Sequence, residues 1–220
     1  MKNKKRQFAV IGLGRFGGSL IKELIAMGHE VLAIDTDEEK IEDFVDIATH
    51  AVQADSTDET VLRKLGISNF DVVVVSIGNN LQANILTAIT LKEMGVKKVI
   101  AKAQTALHGK VLEKIGTDVV IYPERDMAIK LAHSFVHNIM NQIDLSSEYS
   151  IVEILAPSEF INKSLKQMEL RTKMNVAVIA IKHDEEISVP PDPDQIIHAR
   201  DILVIAGDNK NINNLADLSE

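Results

Sequence analysis

The sequence contains no cysteine. Disulfide staples, thiolate metal sites and cysteine nucleophiles are therefore excluded, and a reducing compartment suits the chain. Tryptophan is absent too, and aromatic residues make up only 4%. Base stacking and sugar platforms are poorly supplied. Long apolar runs are missing: stretches such as Val72–Val75 fall far short of the roughly 18 residues that point to a membrane span. The basic start Met1-Lys-Asn-Lys-Lys-Arg6 precedes only a short apolar run without a small-residue cleavage site, so no signal peptide is expected. Positive charge is in deficit, with a formal net charge of −8. Such a chain does not attract phosphate backbones broadly, so no nucleic-acid polymer is expected as a partner. The hydrophobic fraction, 45% over 220 residues, suffices for one large domain or two small ones.

What is present begins with an alternation. Short β-rich runs at residues 8–11, 31–34, 51–54, 71–77, 98–101 and 119–122 are separated by stretches with helical periodicity. Buried strands alternating with helices imply a parallel sheet covered on both faces, here a doubly wound Rossmann sheet. The run at 71–77 is the richest in β-branched residues and is expected at the sheet's centre. Residues 126–140 form a different helix. Met127, Ala128, Ile129, Leu131, Phe135 and Met140 give it a broad apolar face, which is expected to pack in a subunit interface. The polar stretch 141–149 reads as a linker. Beyond it, strands at 151–155, 176–181, 187–189 and 202–205, a turn at Glu185-Glu186 and short helices at 165–168 and 212–218 make a small α+β module. The expected organisation is a nucleotide-binding domain over 5–125, a helix and linker over 126–146 and a C-terminal module over 147–220.

Gly12-Leu13-Gly14-Arg15-Phe16-Gly17 follows a strand and opens a helix. Gly12 permits the tight turn, Gly14 lets phosphate approach the backbone, and Gly17 lets the helix pack on the strand. Amides at the helix N-terminus then receive the anion. Asp35 ends the second strand, 18 residues after Gly17, where its carboxylate can take ribose hydroxyls. Thr36 follows, with no arginine for a 2′-phosphate, which disfavours NADP. Asp55 ends the third strand, so it sits at the same rim and can meet the adenine. Arg15 is unusual inside such a loop. A guanidinium clamps phosphate bidentately, so Arg15 points to a ligand with more phosphate charge than NAD. No constellation of His, Tyr or Lys resembles a hydride-transfer site. His133 and His137 share a helix face at i, i+4, but without the accompanying glutamate motif they are not expected to hold metal.

These residues resemble the family of regulators of potassium conductance (RCK), and within it the cytosolic regulatory subunits of Ktr-type potassium uptake systems. The resemblance rests on the run from Phe8 to Gly18, on His29 to Asp35, Ala54 to Glu59, Lys102 to Gln104, Lys110 to Gly116, Pro123 to Met127, Glu148 to Glu153 and Val178 to Lys182. It covers essentially the whole chain. It implies an RCK N-terminal Rossmann domain, a crossover helix and a C-terminal RCK domain, with dimers assembled into an octameric ring. The ring would lie in the cytoplasm, docked beneath a membrane potassium-translocating subunit. ATP or ADP in the Rossmann site would set ring shape, ATP activating and ADP inactivating. The nucleotide contacts implied are Gly12, Gly14, Arg15, Phe16 and Gly17 in the loop and Asp35, Thr36, Asp55 and Ser56 at the next two strand ends. Ser76, Ile77, Gly78, Lys102 and Glu124 complete them. Arg15 would reach the terminal phosphate across a dimer interface, and Glu124 would hold a cation near the phosphates. In the C-terminal module, Arg171, Asn175, Val176 and Pro191 would contact cyclic di-AMP at a two-fold interface.

Three other readings stay open on the residues alone. A small NAD-dependent oxidoreductase would need a substrate and a positioned acid. A Trk-type regulator responsive to NAD(H) would be expected to show tandem copies, and no internal repeat is visible. A redox-sensing repressor would need a basic helix-turn-helix.

Overall fold

The computed structural model describes residues 5–137 and 139–219. Cα proximity divides the chain into two units, Met1–Pro123 and Glu124–Glu220. The first four residues of the basic start lie outside the described residues.

The first unit alternates strand and helix. β1 (Gln7–Ile11), α1 (Arg15–Ala26), β2 (Glu30–Asp35), α2 (Glu38–Glu42), β3 (His50–Gln53) and α3 (Glu59–Lys64) form its first half. β4 (Val72–Val75), α4 (Leu81–Glu93), β5 (Val99–Lys102), α5 (Ala106–Lys114) and β6 (Val119–Ile121) form the second. All six strands are parallel, in the order β3-β2-β1-β4-β5-β6. That order reverses between β1 and β4, and the crevice outside the strands' carboxyl ends at that point is where such sheets bind ligands. β4 lies beside β1 at the centre, and its four valines are all buried, as the β-branched run predicts. A parallel strand buried on both faces has no room for a polar alternate residue. Ile21 of α1, Leu62 of α3, Leu91 of α4 and Leu112 of α5 are fully buried. Each such side chain contributes about 1.5–3 kcal/mol by leaving water. α1 ends at Ala26 with Met27 as its C-cap, and Gly28 follows at φ +83°, a backbone turn that a side chain would strain.

The second unit opens with α6 (Pro123–His137), which begins one residue before the division. It continues through β7 (Ile139–Asp144), β8 (Tyr149–Leu155), α7 (Leu165–Met168), α8 (Leu170–Lys173), β9 (Val176–His183), β10 (Glu186–Ser188), β11 (Ile202–Asp208) and α9 (Asn209–Ala216). Its sheet is antiparallel, in the order β10-β9-β11-β8-β7. Phe160, Met168, Leu170, Ile197, Ile212 and Leu215 are buried in its core.

The stretch expected as a linker is instead the edge strand β7, hydrogen-bonded to β8. It is polar because only one residue, Ile139, is buried on it. The chain turns back through Ser146, whose hydroxyl accepts from the backbone N–H groups of Glu148 and Tyr149, each at 3.1 Å. Composition alone does not separate a solvated edge strand from a tether. The turn expected at Glu185-Glu186 sits one residue earlier, because Asp184 takes φ +50° and Glu186 already pairs with His183. α6 presents Met127, Ile129, Leu131 and Phe135 to solvent in the single chain, with Phe135 81% exposed. The side chains of His133 and His137 lie outside the described residues.

Candidate functional site

The glycine loop runs from the end of β1 into α1, at the carboxyl edge of the sheet. Gly12 lies at φ +99°, and a side chain there would come within 2.9 Å of the Ile77 backbone nitrogen. A side chain at Gly17 would lie 2.0 Å from the Gly12 carbonyl oxygen. Both glycines are thus demanded by the protein's own packing. Gly14 differs: nothing lies within 4 Å of the place its side chain would take. That open space, over the first amides of α1, is the form a phosphate cradle takes.

Arg15 is the first residue of α1, solvent-exposed, and makes no hydrogen bond or ion pair among the described residues. Phe16 is half-buried and packs against the core on one face of the sheet. Beneath the loop, Ser76 is 6% exposed and its hydroxyl has no partner among the described residues. An orphaned buried hydroxyl beside an open anion cradle fits a ligand or its bound water.

Asp35 ends β2 as expected, but it already has work within the protein. Its Oδ2 accepts from the Leu13 N–H at 2.7 Å, and its Oδ1 from the Asp37 N–H at 3.0 Å. The carboxylate therefore ties the glycine loop to the end of β2 and orients the loop before any ligand arrives. Lys40 of α2 places its ammonium 3.5 Å from Asp35 Oδ1 and 3.3 Å from Asp37 Oδ2. Partial burial opposes that charge, but the two aspartates outweigh it and hold Lys40 above the usual lysine range. Thr36 is exposed, and its carbonyl accepts from the Gln53 side chain at 3.1 Å.

Asp55 is exposed at the same rim. Its Oδ1 accepts from the hydroxyl of Thr57 at 2.7 Å and from its N–H at 2.9 Å, and these bonds hold the carboxyl below its usual range. Ser56 is buried and shares a 2.9 Å hydrogen bond with Thr87 of α4. It braces α4 rather than facing the open cradle. Ile77 and Gly78 follow β4, and Lys102 ends β5, at the rim. Two residues missed at the sequence level fasten them. The Asn84 amide, fully buried on α4, donates to the Ile77 carbonyl at 2.8 Å and to the Lys102 carbonyl at 3.2 Å. The Gln104 side chain donates to the Gly78 carbonyl. An Asn one turn before Thr87 and Ala88 and two before Leu91, on the face α4 buries, was the readable signal for the first. Lys40, five residues after Asp35, carried no such signal.

The first unit thus brings together the glycine loop, Arg15, Phe16, Asp35, Thr36, Asp55, Ser76, Ile77, Gly78 and Lys102 at one edge of its sheet. Glu124 is the exposed second residue of α6 and belongs to the second unit. Among the described residues, no group of three or more His, Asp or Glu is placed to hold a metal. In the second unit, Arg171 is exposed on α8, Asn175 is exposed at φ +52°, and Pro191 is half-buried. Val176 is 2% exposed, so its side chain belongs to the core and only its backbone remains for a ligand.

The chain matches the model of the TrkA-N domain over residues 8–123 and that of the TrkA-C domain over residues 149–219. It is 51% identical to the Ktr system potassium uptake protein A of Bacillus subtilis, over 95% of each chain. It is similar in structure to the GsuK channel bound to NAD, with a TM-score of 0.70 and 16% identity, over 100% of this chain and 40% of that one. It is also similar to GsuK bound to ADP, with a TM-score of 0.51 and 22% identity, over 60% of this chain and 34% of that one. The fold is accordingly that of an RCK protein, and the chain, which joins a TrkA-N to a TrkA-C domain, belongs to the family of the Ktr system potassium uptake proteins.

Proposed function

We propose that the chain is the regulatory subunit of a potassium uptake system and that an adenine nucleotide at the edge of the first sheet sets its state. The observation that carries this reading is Arg15: a guanidinium on the first turn of α1 with no partner among the described residues, beside the open space at Gly14. The Bacillus subtilis relative, named a potassium uptake protein, supports the potassium system.

The mechanism follows from linkage. A ligand shifts a two-state protein only by its differential affinity for the two states. ATP and ADP differ by one phosphate, so the discriminating group must meet that phosphate. Arg15 supplies the charge across a dimer interface, and Glu124, through a cation near the phosphates, supplies the second contact. The exposed Met127, Ile129, Leu131 and Phe135 of α6 are the surface on which two chains pair. Dimers assembled into an octameric ring then dock on the cytoplasmic side of a membrane potassium-translocating subunit. ATP favours the activating shape and ADP the inactivating one. Cyclic di-AMP is the ligand of the C-terminal module, with Arg171, Asn175, Pro191 and the backbone of Val176 as its contacts. The protein performs no catalysis in this reading.

The test is calorimetric titration of the full chain with ATP, ADP, NAD and NADH. Binding of ATP and ADP, with NADH absorbance unchanged on adding carbonyl compounds, is expected. Preference for NADH with turnover of a carbonyl compound would replace this reading with an oxidoreductase. Preference for NAD or NADH without turnover would replace it with an NAD-responsive regulator.

A further inference from the structure

We infer that Lys40 is a ribose-recognition residue, completing with Asp35 a subsite that demands an intact 2′- or 3′-hydroxyl. The inference rests on the proposed binding of an adenine nucleotide at this edge of the sheet.

A hydroxyl group is both donor and acceptor, and a ligand hydroxyl taken out of water needs both roles matched. A carboxylate can only accept. Asp35 therefore satisfies the donor half of a ribose hydroxyl and leaves its oxygen without a donor. Lys40 is the donor in place. Its ammonium lies 3.5 Å from Asp35 Oδ1, so one hydroxyl oxygen can meet the carboxylate and the ammonium together.

Three further features make this a built subsite. Asp35 is fixed from two sides by the Leu13 and Asp37 amides, so its position does not depend on Lys40. Gln53 anchors the intervening turn through the Thr36 carbonyl. Asp37 holds the Lys40 ammonium from its other side, at 3.3 Å, and keeps it beside Asp35. The ammonium is also reachable: the Lys40 side chain is 43% exposed against 10% for Asp35. A lysine so exposed adds little to stability through its ion pairs, so replacing it should leave the fold intact.

The experiment titrates wild type, Lys40→Met and Lys40→Arg with ATP and with 2′,3′-dideoxy-ATP. Wild type is expected to prefer ATP. Lys40→Met is expected to narrow that preference by about three- to tenfold, the effect of one hydrogen bond, through weaker ATP binding alone. Lys40→Arg, which keeps a donor, should retain most of it. A Lys40→Met protein that binds both nucleotides in the wild-type ratio overturns the inference while leaving the nucleotide site intact. Wild type that binds neither nucleotide overturns the proposed function itself, and this inference with it.

Discussion

Replacing Asp35 by Asn separates two roles that a nucleotide-site aspartate can hold. The carboxylate accepts from the Leu13 amide at 2.7 Å and from the Asp37 amide at 3.0 Å, one on each oxygen. Asn offers one carbonyl oxygen and one NH2 group. It can satisfy one amide and must turn a donor toward the other. Hydrogen bonds to charged groups contribute about 1.5–3 kcal/mol each, and an unsatisfied buried donor costs about 1–3 kcal/mol. The Asp35 side chain is only 10% exposed, so water compensates little. A loss of about 2 kcal/mol is expected without any ligand. For a chain of this size that lowers the thermal midpoint by about 4–8 °C. The assay is thermal unfolding of ligand-free Asp35→Asn beside wild type, followed by nucleotide titration. An unchanged midpoint with lost nucleotide binding would refute the preorganising role and leave Asp35 as a ligand contact alone.

Further outcomes follow from the same geometry. Gly17→Ala places a methyl 2.0 Å from the Gly12 carbonyl, so the loop must move; a loss of about 3 kcal/mol or more in urea unfolding is expected, far above an ordinary helix Gly→Ala change. Phe135→Glu puts a charge on the exposed face of α6 and should shift the protein toward monomer in sedimentation velocity. The two units should respond oppositely to pH. Burial holds the His108 imidazole below its usual range, so its neutral form is favoured by folding. The first unit should therefore lose stability as pH falls below about 6.5, and His108→Gln should flatten that loss. In the second unit the hydrogen bond and charge of Asp201 raise the His183 pKa. That contribution is complete below about 6.5 and disappears as pH rises through the raised value; His183→Gln should remove this alkaline slope in chemical unfolding followed by pH.

The Rossmann unit was legible because its signals are local. β-branched runs at Val72–Val75 and glycines at fixed offsets report directly on a buried parallel sheet and its phosphate turn. β7 was not legible, since an edge strand with one buried residue has a linker's composition. α8 was hidden for a related reason: a single turn over Leu170–Lys173 buries only Leu170 and leaves no periodicity. At the site, Asp35 could be placed from spacing, yet its bond to Leu13 joins residues 22 apart. The same holds for Asn84, whose amide joins the ends of β4 and β5. Such contacts belong to the folded sheet and leave no mark on a local pattern.

The central claim is that Arg15 lets the site tell ATP from ADP. Its most direct test is the ratio of ATP to ADP dissociation constants for wild type and Arg15→Ala, measured by calorimetry on the ligand-free chain. Wild type should favour ATP, and Arg15→Ala should bring the two affinities together by about tenfold, as expected for one lost charge-assisted contact. An Arg15→Ala protein that separates ATP from ADP as well as wild type does would contradict the claim.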